Sequence, residues 1–175
     1  ADERYPEAPY VLLTDADIMH DRESLRRLAA KAESAGLDLV SLMVLLRCES
    51  FWERFLIPAF VFFFQKLFPL PWVNDPSRST AAAGGCMLVR RSALTKAGGV
   101  AAIRDRLIDD CALAAEIKQR GAIWLGLTTR VRSERRYNSL SEIWHMVSRT
   151  AFEQLGNSPF LLVGTVAGMG LAYLV

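Results

Sequence analysis

Histidine occurs twice and cysteine three times in this chain of 175 residues. Cys48, Cys86 and Cys111 are widely spaced and form no CxxC pair, which excludes a cysteine zinc site and a disulfide framework and leaves reduced, small core side chains. His20 and His145 stand alone, so no histidine metal cluster is expected, although His20 lies close to two carboxylates. Neither sign of charge dominates: 21 Lys and Arg against 19 Asp and Glu leave a formal +2, and no nucleic-acid partner is expected. No internal repeat, low-complexity tract or signal peptide is visible. The strongly apolar run Phe55 to Phe64 is short of the ~20 residues that span a bilayer. Gln65 and Lys66 interrupt it, and Pro69 and Pro71 break the stretch beyond them.

Apolar surface is abundant, at 51% of residues, enough for one domain with a real core. Much of the excess sits in Phe51 to Val73, read as an interfacial helix lying on a membrane or, more plainly, a core helix of the domain, and in Pro159 to Val175, read as the first turns of a transmembrane helix. The chain opens Ala1-Asp2-Glu3-Arg4 without Met and closes in the apolar Leu174-Val175. Both ends read as cut, so an internal piece of a longer membrane protein is expected.

Tyr10 to Leu13 is an unbroken apolar run that stops at Thr14-Asp15-Ala16-Asp17. Such a run reads as a strand buried on both faces, of the kind found in parallel sheets. Asp21 is expected to cap a helix over Arg22 to Ala35, with Leu25, Leu28, Ala29 and Ala32 as its apolar stripe and Gly36 as its stop. Asp38 to Leu46 reads as a second buried strand, and this strand–helix–strand order predicts an α/β sheet. Asn74 to Ala83 is a polar loop, free to move over a site. Gly84-Gly85 opens the strand Cys86 to Arg90, and Ser92 caps a short helix that stops at Gly98-Gly99. A helix starts near Asp109-Asp110 and runs to Gly121; Ala122 to Leu127 is a further strand, and Ser139 to Leu155 an amphipathic helix. The cluster Arg130, Arg132, Arg135 and Arg136 is read as facing anionic headgroups or solvent, and it places the chain on the cytoplasmic side of a membrane.

Ligands in open α/β sheets bind just outside the carboxyl ends of the strands, which is where Asp15 and Asp17 stand. Two anionic side chains so close repel, and a divalent cation with hard oxygen ligands, Mg²⁺ or Mn²⁺, relieves that repulsion. A diphosphate is the natural client of such an ion. The plainer alternative is two solvated turn aspartates accepting local hydrogen bonds. Gly84-Gly85 would let the backbone approach a sugar closely, or simply make a tight turn.

The order of these features resembles the inverting family 2 glycosyltransferases of GT-A fold, most closely the hopene-associated membrane glycosyltransferases of hopanoid lipid synthesis. The shared features are a strand ending in DxD (Asp15, Asp17), a Gly-Gly strand ending in Arg90-Arg91, an acidic pair at a helix start (Asp109, Asp110), a helix carrying Arg149 and then membrane helices. The resemblance implies a Rossmann-like mixed sheet with flanking helices, lacking its first strands. Residues 1–138 would be the C-terminal part of the GT-A domain, 139–158 a membrane-proximal amphipathic helix and 159–175 the start of a transmembrane helix. It further implies that Asp17 binds the metal, that Asp15 meets the metal or the donor, that Asp109 contacts substrate, and that Asp110 is the general base for an acceptor hydroxyl. Asp109 stands where the family more often has Glu, and two acids in a first turn also favourably meet the helix dipole. Arg149 corresponds to the arginine of a Gln-x-x-Arg-Trp motif that holds the donor diphosphate. Met146 and Thr150 replace its flanking residues here, which argues against a processive polysaccharide synthase.

The implied activity is inverting transfer of a sugar from a nucleotide-diphosphate sugar to a lipid or lipid-linked hydroxyl acceptor at the bacterial inner membrane. A catalytically inactive GT-A domain serving as a membrane interaction module is the non-enzyme alternative. Haloacid-dehalogenase-like phosphatases also carry DxD after a strand, but they want Thr or Val soon after it, and Ile18-Met19-His20 fits poorly.

Overall fold

Apolar runs bounded by polar turns become strands here, and helical stripes become the layers that cover them. The structure is a computed structural model that describes residues 7–99, 109–155 and 158–174. The chain divides into two units, 1–136 and 137–175.

In the first unit β1 (Tyr10–Thr14) leads through the Asp15-Ala16-Asp17 turn to β2 (Ile18–His20), followed by α1 (Ser24–Ser34) and β3 (Leu39–Leu45). Next come α2 (Phe51–Leu67), α3 (Leu70–Val73), β4 (Cys86–Arg90), α4 (Arg91–Lys96), α5 (Asp109–Lys118) and β5 (Ile123–Ser133). The five strands form one mixed sheet in the order β1-β4-β3-β5-β2, with β3 and β5 parallel and the other pairs antiparallel. Alternation along the strands feeds two cores. Leu39, Met87, Val89, Ile123 and Leu125 pack with Phe64, Leu94, Leu113 and Ile117 on one face. Val40, Val44, Cys86, Leu88 and Val131 pack with Leu28 and Ala32 of α1 on the other. The expected mixed α/β sheet with flanking helices is present.

Several local expectations are corrected. β1 is half-buried, because among the described residues it pairs only with β4, and it does so antiparallel. Asp21 accepts hydrogen bonds from Ser24 Oγ at 2.7 Å and Glu23 N–H at 3.1 Å, so it does tie the entry to α1, but the helix starts two residues later than expected. Ser92 lies inside α4, whose N-cap residue is Arg90 with no side-chain cap. The 74–83 loop is tied down. Lys118 Nζ donates to the carbonyls of Trp72 (3.1 Å), Val73 (2.5 Å) and Thr80 (2.6 Å), while Asn74 exchanges two hydrogen bonds with the backbone of Leu125. Arg90 lies over the Tyr10 ring and near Asp38, at the opposite end of β4 from the glycines.

β5 is longer than expected and bends. Met43 pairs with Leu127, but Leu45 pairs with Arg132, so residues 128–131 bulge out of the β3 ladder. The bend is a geometric necessity. Thr14 and Ile18 can be no more than about 14 Å apart along the chain, whereas four strand spacings in a flat sheet are about 19 Å. The far half of β5 must therefore curl towards β1 to meet β2.

In α2 a capping box starts the helix: Ser50 Oγ accepts from Glu53 N–H and the Glu53 carboxylate accepts from Ser50 N–H. Glu53, Ile57 and Phe64 form its buried side. Phe51 (72% exposed), Phe55 (68%) and Phe62 (51%) recur at helical spacing on the opposite side, with Pro58 among them.

The second unit holds α6 (Leu140–Gln154) and α7 (Pro159–Leu174). α6 is amphipathic, with Ile143 buried and Trp144 exposed. α7 is 16 residues of apolar and small side chains, and a Cβ added at Gly164 or Gly168 would meet nothing within 4 Å. Among the described residues no helix is long and apolar enough to cross a membrane.

Candidate active site

Thr14 pairs with Cys86, and Leu42 also pairs with Cys86, so the end of β1, the start of β4 and the carboxyl end of β3 share one edge of the sheet. β5 runs parallel to β3 and delivers its bulge to the same edge. This is where the topology of an open α/β sheet puts ligands.

The two glycines have different jobs there. A Cβ on Gly84 would lie 2.5 Å from the Leu42 carbonyl oxygen and 2.9 Å from Met43 Cα, a clash with backbone that cannot yield. Gly84 also donates its N–H to Ser41 Oγ at 2.9 Å, and Ser41, fully buried, donates in turn to the Cys86 carbonyl. A Cβ on Gly85 would instead lie 2.6 Å from Asp15 Oδ2. The bare Cα of Gly85 is the space the Asp15 carboxylate occupies, and Asp15 N–H donates to the Gly85 carbonyl at 3.1 Å. Gly84 thus lets two strands approach, and Gly85 makes room for a carboxylate.

Asp15 is exposed and Asp17 half-buried. Asp17 Oδ2 accepts a 2.5 Å hydrogen bond from Ser133 Oγ, and its main-chain carbonyl accepts from Glu134 N–H at 2.9 Å. The DxD turn is therefore anchored to β4 at one end and to the exit of β5 at the other. Across it, His20 Nε2 and Thr14 Oγ1 are hydrogen-bonded at 3.1 Å. The Asp15 charge is felt by Cys86: burial first, and that charge second, push its thiol pKa up to about 11.

Asp110 reaches the same edge through its helix. Cys111 Sγ, at the start of α5, lies 3.7 Å from the Ala83 carbonyl, two residues before Gly85. Asp110 Oδ1 accepts from Cys111 N–H at 2.7 Å. Asp15, Asp17, Gly84, Gly85 and the start of α5 are thereby brought to one end of the sheet. The side chains of Asp109 and Arg149 lie outside the described residues, and Arg149 belongs to the second unit. The arginine cluster is partly engaged within the fold, with Arg130 paired to Asp21 at 3.2 Å and Arg132 to Glu134 at 3.2 Å. Hydrogen bonding to Ser24 first, with Arg130 a lesser contributor, holds the Asp21 carboxyl below its ordinary range.

Among the described residues no group of three or more His, Cys, Asp and Glu side chains could hold a metal on its own. A nucleotide-bound Mg²⁺ or Mn²⁺ takes one or two carboxylates and completes its shell with phosphate oxygens and water. The donor set here is a pair of hard carboxylates, one of them in a cradle a Cβ would fill.

Neither Ser133, β2 nor a groove beside α2 is signalled by the sequence. The groove offers about 560 Å³ between α2, the carboxyl end of β3 and the bulge of β5, lined by Leu45, Leu46, Ile57, Phe62, Leu127 and Thr128 among others. Its apolar walls come from segments that read separately, in sequence, as strand and as membrane surface.

No curated protein matches the chain. The resemblance drawn from its motifs is to the family 2 glycosyltransferases; the match is to a different glycosyltransferase family. The sequence profile of glycosyl transferase family 21 matches residues 3–172, and the chain belongs to that glycosyltransferase family.

Proposed function

We propose that this chain carries the catalytic carboxylates of a metal-dependent, inverting glycosyltransferase that moves a sugar from a nucleotide-diphosphate donor to a hydroxyl of a membrane lipid. The observation that supports it most is the gathering of Asp15 and the Asp110 helix start around residues 83–85, with Asp17 in the same turn, in a chain of a glycosyltransferase family. Asp17, with Asp15, holds the divalent ion, which when bound supplies Lewis-acid stabilisation to the departing diphosphate. Asp110 accepts the proton of the acceptor hydroxyl as its oxygen attacks the anomeric carbon from the face opposite the leaving group, which inverts that centre. Gly85 keeps Asp15 within reach of the donor. Asp109 and Arg149 contribute donor contacts.

Two features favour a lipid acceptor. The outer side of α2 presents Phe51, Phe55 and Phe62 to its surroundings, the pattern of a helix seated at a bilayer interface. The groove beside it offers an apolar bed for hydrocarbon at the same edge of the sheet as the carboxylates. The protein then works at the cytoplasmic face of the inner membrane, and a hopanoid is one acceptor of this kind.

The test is donor turnover by the membrane-reconstituted protein with a panel of UDP- and GDP-sugars, Mg²⁺ or Mn²⁺, and hydroxyl-bearing lipids including a hopanoid. Metal-dependent transfer that disappears in Asp17→Ala and Asp110→Asn supports the proposal. Turnover that survives both substitutions sinks it, and binding to vesicles without any turnover favours an inactive membrane module.

A further inference from the structure

We propose that Ser133 is a positioning residue for the metal-binding carboxylate, holding Asp17 through one oxygen so that the other meets the cation in a fixed orientation. This rests on the reading of Asp17 as a ligand and adds a residue that no motif contains. Ser133 is the last residue of β5, only 7% exposed, and 116 positions from Asp17 in sequence. Its hydroxyl accepts from Arg135 N–H at 3.2 Å and donates to Asp17 Oδ2 at 2.5 Å. The incoming N–H occupies an oxygen lone pair, and the hydroxyl proton is directed at the carboxylate. The neighbouring Glu134 N–H holds the Asp17 carbonyl at 2.9 Å, and Ile18 pairs with Ser133 in the β2–β5 ladder. Backbone and side chain of Asp17 are thus both fastened to the exit of one strand.

A half-buried aspartate on a turn is otherwise free to change rotamer. Metal-ligating carboxylates are commonly held by such outer hydrogen bonds, and removing one typically weakens metal affinity ~10–100-fold. The Arg135 N–H can satisfy only the accepting side of the hydroxyl and offers its proton no partner. The hydroxyl commits that one proton to the ligand.

The experiment is an electron paramagnetic resonance titration of Mn²⁺ into the full chain, with and without UDP or GDP. Wild type would be compared with Ser133→Ala, Ser133→Thr and Asp17→Ala, with thermal midpoints recorded for each. The expected result is Mn²⁺ affinity lowered about tenfold or more in Ser133→Ala, with a thermal midpoint close to wild type and substantial recovery in Ser133→Thr. In a turnover assay the donor KM should rise more than kcat falls. Wild-type affinity in Ser133→Ala, alongside lost binding in Asp17→Ala, overturns the role of Ser133 and leaves Asp17 as a ligand. Unchanged binding in Asp17→Ala, or none in wild type, overturns both readings. Equal loss in Ala and Thr variants with lowered midpoints shows a packing role and overturns the proposal.

Discussion

The DxD edge of the sheet and the outer side of α2 obey opposite rules. At the DxD edge each polar group has an assigned place: Asp15 over Gly85, Asp17 against Ser133, Asp110 on Cys111 N–H. On α2, Phe51, Phe55 and Phe62 face outward, more than half exposed. The first region is held by directional bonds and steric fit, so it can be broken by removing a single atom. The second is non-directional apolar surface, whose effect scales with area and on which single changes tell little. A site that must place charge within tenths of an ångström needs the former, whereas a surface that must meet a fluid partner is better served by the latter.

The sharpest way to break this contrast is at the carboxylates. Asp110→Asn should lower transfer by about 10²–10⁴-fold, the usual contribution of a general base. It should leave the thermal midpoint within a few degrees of wild type, and steady-state kinetics with calorimetry would check both. A midpoint that collapses would mean that Asp110 is holding α5 together.

The two glycines come next, because they differ in the atoms an added methyl would strike. Gly84→Ala pushes against the Leu42 and Met43 backbone and should destabilise the fold by roughly 1–3 kcal/mol, the usual effect of overpacking. Gly85→Ala meets the tip of a side chain, so stability should change less while Mn²⁺ and donor binding weaken. Urea unfolding beside Mn²⁺ titration separates them, and equal effects on both measurements would erase the distinction drawn between the two positions.

Lys118→Met removes the donor shared by three carbonyls of the 72–80 segment and should destabilise by about 1–3 kcal/mol. The segment should also become a preferred cut site in limited proteolysis.

A smaller effect is expected at Cys86. Its folded-state pKa is raised to about 11 from 9.0, so between those values the unfolded chain releases a proton that the folded chain keeps. Stability from this group is fully present below pH 9 and fades as pH climbs through 11, by at most about 3 kcal/mol. Unfolding curves at several alkaline pH values should show a steeper decline in wild type than in Cys86→Ala.

Smallest of all in stability, and largest in membrane binding, is the combined change Phe51→Ser, Phe55→Ser and Phe62→Ser. These side chains are mostly exposed already, so the midpoint should barely move while co-flotation with anionic vesicles is lost. Retained flotation would move the membrane contact elsewhere on the chain.

Much of this contrast is legible in the amino-acid order. The runs Tyr10–Leu13, Leu39–Leu45 and Cys86–Val89 declare strands by their largely apolar make-up, the acids at 15 and 17 declare themselves by chemistry, and Asp110 is picked out by the family resemblance. Other parts are not. Ile18–His20 is too short to carry a period, and Thr128–Ser133 is polar and basic, so neither reads as strand; Ile18–His20 and Val131–Ser133 exist as strand because they pair with each other. Lys118 and Asn74 look like surface residues until the loop they clamp is folded over them.

The sequence by itself determined the α/β class, the glycosyltransferase motifs, the carboxylates that define the candidate site and an aromatic helix too short to span a bilayer. The class and the helix are set by local composition and period, which act over a few residues, whereas the motifs are legible through a family resemblance. Only the tertiary structure decided that β1 lies at an edge, that Gly85 rather than Gly84 yields space to Asp15, and that Ser133 meets Asp17. Those contacts join positions tens of residues or more apart, and their energy comes from the packing and hydrogen bonds that close the chain on itself, which no local pattern encodes.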